Sequence, residues 1–136
     1  MRGDDVSSSP ESADSKLIVL YERPPSWEVL ARALSERRRV VACYHGHERL
    51  ICPHALGFSK RRAKLLAYQC GGTTSTGPLP PETDRRWRCM FVDEIEHPAI
   101  TEGAFESAGN YRAAALRLSM DHVELAVELA AAGRSR

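Results

Sequence analysis

Apolar and polar residues alternate most clearly between Arg39 and Phe58, in RVVACYHGHERLICPHALGF. Val40 to His45 is rich in β-branched and aromatic residues, and Glu48 to Cys52 runs back beyond Gly46-His47. Glycine supplies the positive φ that a type II′ turn needs at its first central position. The stretch therefore predicts a tight β-hairpin with Tyr44 opposite Arg49, Cys43 opposite Leu50 and Ala42 opposite Ile51. Period-two alternation puts Val41, Cys43, Leu50 and Cys52 on one face, expected to be core. Tyr44 and Arg49 share the other face, where an aromatic ring beside a guanidinium offers the start of a binding surface.

The pattern elsewhere predicts a small α+β unit. Leu17 to Tyr21 is a short apolar run consistent with a buried strand, stopped by Pro24-Pro25. Ser26 is a good N-cap, and Trp27, Leu30, Ala31 and Leu34 form one apolar stripe, predicting a helix over Trp27–Arg38. Arg37 to Arg39 then fall in its last turn, where cations suit the helix dipole. Pro53 to Lys60 is expected to bend, with Leu56 and Phe58 as buried anchors and Gly57 as the flexible point. Arg62 to Cys70 is a third strand and Arg86 to Ile95 a fourth, ended by His97-Pro98; Ala99 to Phe105 is a short closing segment. Gly71 to Asp84 is Gly/Pro/Thr-rich and is expected to be a disordered loop. Beyond Gly109, Leu116, Met120, Val123 and Val127 form one stripe and Leu118, Leu125 and Leu129 a second. They predict a long helix ending near Gly133, which either covers the open side of the sheet or meets a partner helix.

Composition narrows the function classes. The chain has 136 residues, 43% of them hydrophobic, and suits one domain with tails. A net charge of +1 gives no global electrostatic case for nucleic-acid or membrane binding, but cations cluster at Arg37–Arg39, Lys60–Arg62 and Arg85–Arg88. Sixteen of the 19 cations are arginine, whose planar fork suits phosphate and carboxylate; an Arg-biased composition is the bland alternative. Residues 1–15 are polar and aperiodic and are expected to be a disordered tail. No signal peptide is visible, and no apolar run approaches the roughly 18 residues of a membrane span. Cys43, Cys52, Cys70 and Cys89 form no CxxC pair, so buried free thiols in a reducing cytoplasm are expected.

The order of these pieces resembles the WYL domain, a small SH3-like β-barrel found in bacterial regulators. Tyr44 takes the family's strand Tyr. Arg49-Leu50-Ile51-Cys52-Pro53 carries its Arg and Pro with one extra residue between them, and Leu56 its following Leu. Ala63 to Tyr68 lies over the W-Y-L strand, with Ala63 and Lys64 at the Trp and Tyr. Arg88 to Ile95 lies over the last motif, with Met90 at the Phe and Glu94 at the final Arg. The resemblance covers Trp27 to Phe105. It implies an SH3-like antiparallel barrel at 16–108, with 109–136 as a C-terminal helical extension. It also implies a regulatory, non-enzymatic module that binds a negatively charged ligand, a nucleotide or a short single-stranded nucleic acid, and acts through a partner. Tyr44, Arg49 and Arg88 carry over as ligand-binding residues. Lys64 keeps a polar donor at the family's Tyr, and strand parity adds Arg62. No helix-turn-helix is visible.

Competing readings exist for each cluster. Tyr44 and Arg49 can equally be an exposed cross-strand pair, with Arg lying over apolar surface. The basic loops alone would bind single strands without specificity. The last helix alone would make a homodimer or hold a regulatory protein. Cys43, His45, Cys52 and His54 have the look of a metal set, but the hairpin separates the two histidines by roughly 20 Å. A single zinc cannot span that distance, so no metal or cofactor is expected. Asp93, Glu94, Glu96 and His97 lack an accompanying nucleophile and are expected to be solvated strand-end charges.

Overall fold

The computed structural model describes residues 23–117 and 120–127. The expected tail, the Leu17–Tyr21 run, and Leu118, Leu129 and Gly133 of the expected last helix lie outside the described residues.

Helix α1, Ser26–Glu36, forms on its apolar stripe and buries Trp27, Leu30, Ala33 and Leu34. Ser26 does not cap it. Pro25 holds the cap position, and the Ser26 hydroxyl donates to the Ile95 carbonyl at 2.8 Å, tying the helix to the sheet. The helix stops at Arg37, which takes a left-handed φ of 55°. There the Arg37 and Arg38 N–H groups close back on the carbonyls of Leu34 and Ala33. The cationic run therefore follows the last turn instead of occupying it.

Seven strands follow: β1 Arg39–Tyr44, β2 His47–Ser59, β3 Arg62–Thr74, β4 Gly77–Pro78, β5 Trp87–Phe91, β6 Ile95–Thr101 and β7 His122–Ala126. All pair antiparallel, in the order β4-β3-β2-β1-β6, with β5 also on β3 and β7 also on β2. The sheet is open, not the closed barrel expected from sequence, and has more than the four or five strands foreseen.

Four expectations are corrected. The Pro53–Lys60 bend is instead the second half of continuous β2, although Leu56 and Phe58 are fully buried as expected. Gly57 is a close-approach residue: a Cβ there would lie 2.1 Å from the His122 carbonyl oxygen of β7. The Gly71–Asp84 loop is largely ordered. β3 runs on through Thr74 to pair with β4, and a 3-10 turn spans Thr83–Arg85. Gly72, at φ +86°, lets β3 lie against β2, because a Cβ would sit 2.2 Å from the Glu48 carbonyl oxygen. The long C-terminal helix is replaced by a short α2, Tyr111–Arg117, and strand β7. β1 pairs with β2 only as far as Ile51, which leaves the edge of Ala55–Phe58 to be satisfied by β7. The fourth expected strand also divides. β5 ends at Phe91, a 3-10 turn covers Val92–Glu94, and β6 pairs with β1. Pro98 is tolerated in β6 because it falls in the irregularity between the Val41 and Cys43 pairings.

The sheet has apolar packing on both sides. Under α1 lie Val40, Ala42, Tyr44, Ile51, Leu56, Phe58, Ala63, Leu65, Ala67, Met90 and Val92. A smaller cluster of Ala55, Leu66 and Ala114 is joined by Trp87 and Tyr111. Two bulges interrupt the β2–β3 ladder, leaving His54 unpaired on β2 and Cys70 unpaired on β3. No helix among the described residues is long and apolar enough to cross a membrane.

His54 is fully buried within reach of Trp87, Phe105 and Tyr111, with ring centroids 4.7, 4.8 and 5.1 Å away. Its Nδ1–H donates to the Cys52 carbonyl at 2.7 Å, which fixes Nε2 as an acceptor, and Nε2 has no partner. Burial, helped by the charge of Arg37 and opposed by the Cys52 carbonyl, lowers its pKa to about 4. The unfolded chain, with an ordinary histidine, binds the extra proton first as pH falls through about 6.5. Stability from this residue is therefore complete above that pH and lost between about 6.5 and 4, amounting to about 3 kcal/mol. In denaturant titrations the wild type should lose up to about 3 kcal/mol relative to His54→Phe as pH drops from 7 to 4; a difference that does not change with pH would show that the ring is not held neutral.

Candidate anion-binding site

The site begins at the β1–β2 turn. His45 and Gly46 both have positive φ, 51° and 79°, which is a type I′ turn with glycine second. The type II′ turn at Gly46-His47 is thus displaced by one residue. Tyr44 pairs with His47 and Ala42 with Arg49, not Tyr44 with Arg49. A two-residue change of partner preserves parity, so Tyr44 and Arg49 still share a face. That face is the buried one. Val40, Ala42, Tyr44, Arg49 and Ile51 point under α1, whereas Val41, Cys43 and Leu50 are only partly buried. Both faces carry comparable apolar residues, so alternation alone could not orient the hairpin; the stripe of α1 does.

Arg49 is 4% exposed. Its Nη2 donates to the Tyr44 carbonyl and to Ser75 Oγ, both at 3.2 Å, and its guanidinium lies 5.2 Å from the Tyr44 ring centre. Nε has no acceptor. Among the described residues no carboxylate pairs with it. Burial lowers its basicity, partly countered by Tyr44 and Cys43. Arg88, half-buried on β5, bonds only to the carbonyls of Arg85 and Trp87, at 3.2 and 2.9 Å. Its basicity is also lowered, first by burial and then by the charge of Arg49. Two guanidiniums thus come within electrostatic range of each other without an acid between them. The Tyr44 hydroxyl accepts the Phe91 N–H at 3.1 Å. Its own pKa is raised, chiefly by burial, so it stays a neutral donor. His45 stacks on the Tyr44 ring at 4.0 Å.

The other two candidates lie over the ring of Phe91, whose backbone N–H bonds Tyr44. Arg62 is held by Asp93 through Nε–Oδ2 and Nη2–Oδ1 contacts of 3.0 and 2.8 Å, and by Glu94 at 2.6 Å. It lies 3.6 Å from the centre of the Phe91 ring. Its fork is already filled by carboxylates. Lys64 lies over the same ring at 5.5 Å and close enough to Cys89 to favour that thiolate, although burial dominates and raises the Cys89 pKa. Glu94 also meets His45 at 2.5 Å. His45 first and Arg62 second hold its carboxyl below the usual range. Its carboxylate is therefore already engaged by Arg62 and His45.

Ser75 was missed because its stretch was expected to be disordered. The hydroxyl-rich run Thr73-Thr74-Ser75-Thr76 was the available signal. Among the described residues no set of three or more His, Cys, Asp or Glu side chains gathers as metal ligands. Of the four cysteines only Cys52 is fully buried; Cys89 is exposed, and Cys43 and Cys70 are intermediate, against the expectation of core thiols. No family model, curated protein or solved structure matches the chain.

A buried cation with no counter-charge costs stability, and an apolar residue of similar length removes that cost. Arg49→Met should therefore raise stability by about 1 kcal/mol in denaturant unfolding. A loss of about 2 kcal/mol or more would instead make the guanidinium a structural strut.

Proposed function

We propose that this chain is a WYL-like, non-enzymatic regulatory module that binds a negatively charged ligand, a nucleotide or a short single-stranded nucleic acid. Tyr44, Arg49 and Arg88 are its contact residues, and a partner protein receives the signal. The observation that carries this reading is Arg49, a buried guanidinium whose Nε has no acceptor and which meets no carboxylate among the described residues. A phosphate would supply the missing charge and accept from Arg49 Nε. The strand order also supports an SH3-like reading. Strands β1, β2, β3 and β5 follow one another, a 3-10 turn intervenes at Val92–Glu94, and β6 returns beside β1. Arg62 drops out as a ligand contact, since Asp93 and Glu94 occupy it, and Lys64 is at most peripheral.

A second reading has its own support. Lys60 and Arg61 are exposed at the β2–β3 turn, beside a cavity of about 320 Å³ lined also by Pro24, Pro25, Arg62, Ala63 and Asp93. Such cations suit non-specific single-strand binding.

Thermal denaturation with a panel of nucleotides and short oligonucleotides separates the two. A ligand at a hundredfold excess over its Kd should stabilise the wild type by about 2.7 kcal/mol and lose that effect in Arg49→Met and Arg88→Met. If binding survives both substitutions, falls steeply with salt and disappears in Lys60→Ala/Arg61→Ala, the turn is the site and the module reading fails.

A further inference from the structure

Cys52 and Cys70 are brought together by the same strand pairing, separately from the cationic site. In a regular β2–β3 ladder Cys52 faces Tyr68 and Cys70 is two residues further on. The bulge at Cys70 releases that residue from cross-strand pairing between Gln69 and Gly71. The two sulfurs lie 3.8 Å apart. Cys52 is fully buried, whereas Cys70 is partly open to solvent.

The surroundings of the sulfurs differ. Arg39 Nη1 reaches Cys70 Sγ at 4.0 Å. Arg39 is itself positioned by the Glu102 carbonyl, which accepts from Nη2 at 2.6 Å and from Nε at 3.2 Å, and by Glu106 at 3.9 Å. Cys52 Sγ accepts the Glu106 N–H at 3.2 Å. The exposed sulfur thus has a guanidinium beside it, and the buried one a backbone donor.

We propose that Cys70 and Cys52 form a hydroperoxide-sensitive thiol pair, with Cys70 as the attacking sulfur and Cys52 as the resolving one. The Cys70 thiolate attacks one peroxide oxygen. An S–O bond forms, the O–O bond breaks, and the departing oxygen takes a proton, leaving water (or an alcohol) and a sulfenic acid. The Cys52 sulfur then attacks Cys70 Sγ. An S–S bond forms, the S–O bond breaks, and the departing hydroxide leaves as water with the proton of Cys52. Two thiols lose two electrons and one peroxide gains them. The sulfurs need to close by about 2 Å to reach bonding distance. A bulged residue, free of ladder bonds at that point, can supply this movement. The acidities agree with the division of labour. The hydrogen bond from Cys52, with help from Arg39, brings Cys70 down to about 7, against the opposing effects of burial and Glu106. The same hydrogen bond, together with burial, raises Cys52.

Tryptic digestion separates all four cysteines: Cys43 in Val40–Arg49, Cys52 in Leu50–Lys60, Cys70 in Leu65–Arg85 and Cys89 in Cys89–Arg112. The reduced full chain is treated with hydrogen peroxide near neutral pH and mapped by mass spectrometry without reduction. The expected product joins Leu50–Lys60 to Leu65–Arg85, is reversed by dithiothreitol, and leaves Cys43 and Cys89 as thiols. In Cys52→Ser, dimedone should trap a sulfenic acid at Cys70; in Cys70→Ser, Cys52 should stay unmodified. With a guanidinium beside it and its acidity raised by Cys52, Cys70 should be labelled by iodoacetamide on the order of tenfold faster than Cys89 near neutral pH. Cys43→Ser/Cys89→Ser keeps the pair intact and should lose both remaining thiols together. Cross-links through Cys43 or Cys89, inter-chain products only, or oxidation of Cys89 ahead of Cys70 would overturn the assignment.

Discussion

The backbone ladder of β2 is the constraint on which the rest depends. One edge of His47–Ser59 is bonded to β3 along most of its length, and the other is divided between β1 and β7. A strand used on both edges leaves few backbone groups for water, so its neighbours must fit closely. Gly57 and Gly72 sit where β7 and β2, respectively, approach too closely for a side chain. The two bulges follow from the same demand. A long pair of strands accumulates twist, and an extra residue on each relieves the ladder. The residues left over, His54 and Cys70, are among the most chemically distinctive in the molecule.

Charge is distributed in two ways across this frame. Arg62, Asp93, Glu94 and His45 form a network at the surface, where each cation has an acid, and exposed pairs of this kind add little stability. Arg49 has the opposite arrangement. It is buried, stacked near Tyr44, held by a carbonyl and a hydroxyl, and lacks a carboxylate. Neutralising it within the fold would need only one acidic side chain nearby. Among the described residues no carboxylate is bonded to it. The arrangement sets aside an unneutralised cation against Tyr44, which is the property an anion-binding module requires.

Much of this was legible in the sequence, and the misses have specific causes. Helix α1 came from a single stripe, Trp27, Leu30 and Leu34, that no strand pattern can mimic. β1, β2 and the start of β3 came from β-branched runs. The hairpin was inverted because Val40, Ala42 and Ile51 are no more apolar than Val41, Cys43 and Leu50, and only packing under α1 decides between them. Val123 and Leu125 fit a helical stripe and a strand alternation equally well, and the open edge of Ala55–Phe58 is a tertiary fact. Tyr44, Arg49 and Arg88 were named from their motif positions; Tyr44 and Arg49 are in contact, whereas the bonds of Arg88 go to the Arg85 and Trp87 carbonyls. Arg62 and Lys64 were added from strand parity and motif position; both lie over the Phe91 ring, and the fork of Arg62 is taken by Asp93 and Glu94. The hydroxyl-rich run around Ser75 does not say that it meets Arg49, and nothing local marks Cys52 and Cys70 as neighbours, because the end of a long strand sets the first contact and a bulge the second.

The central claim is that the Arg49 guanidinium is held inside the fold with its buried Nε–H unpaired among the described residues. Nitrogen-15 NMR of the arginine Nε–H groups measures this directly in the intact chain. The account predicts a free-protein Arg49 Nε–H resonance without the downfield shift of a charge-assisted bond, moving downfield in a saturable way as an oligonucleotide or nucleotide is added. A resonance already downfield in the free protein and indifferent to every anion would show that the side chain has a partner within the fold and no place for a ligand.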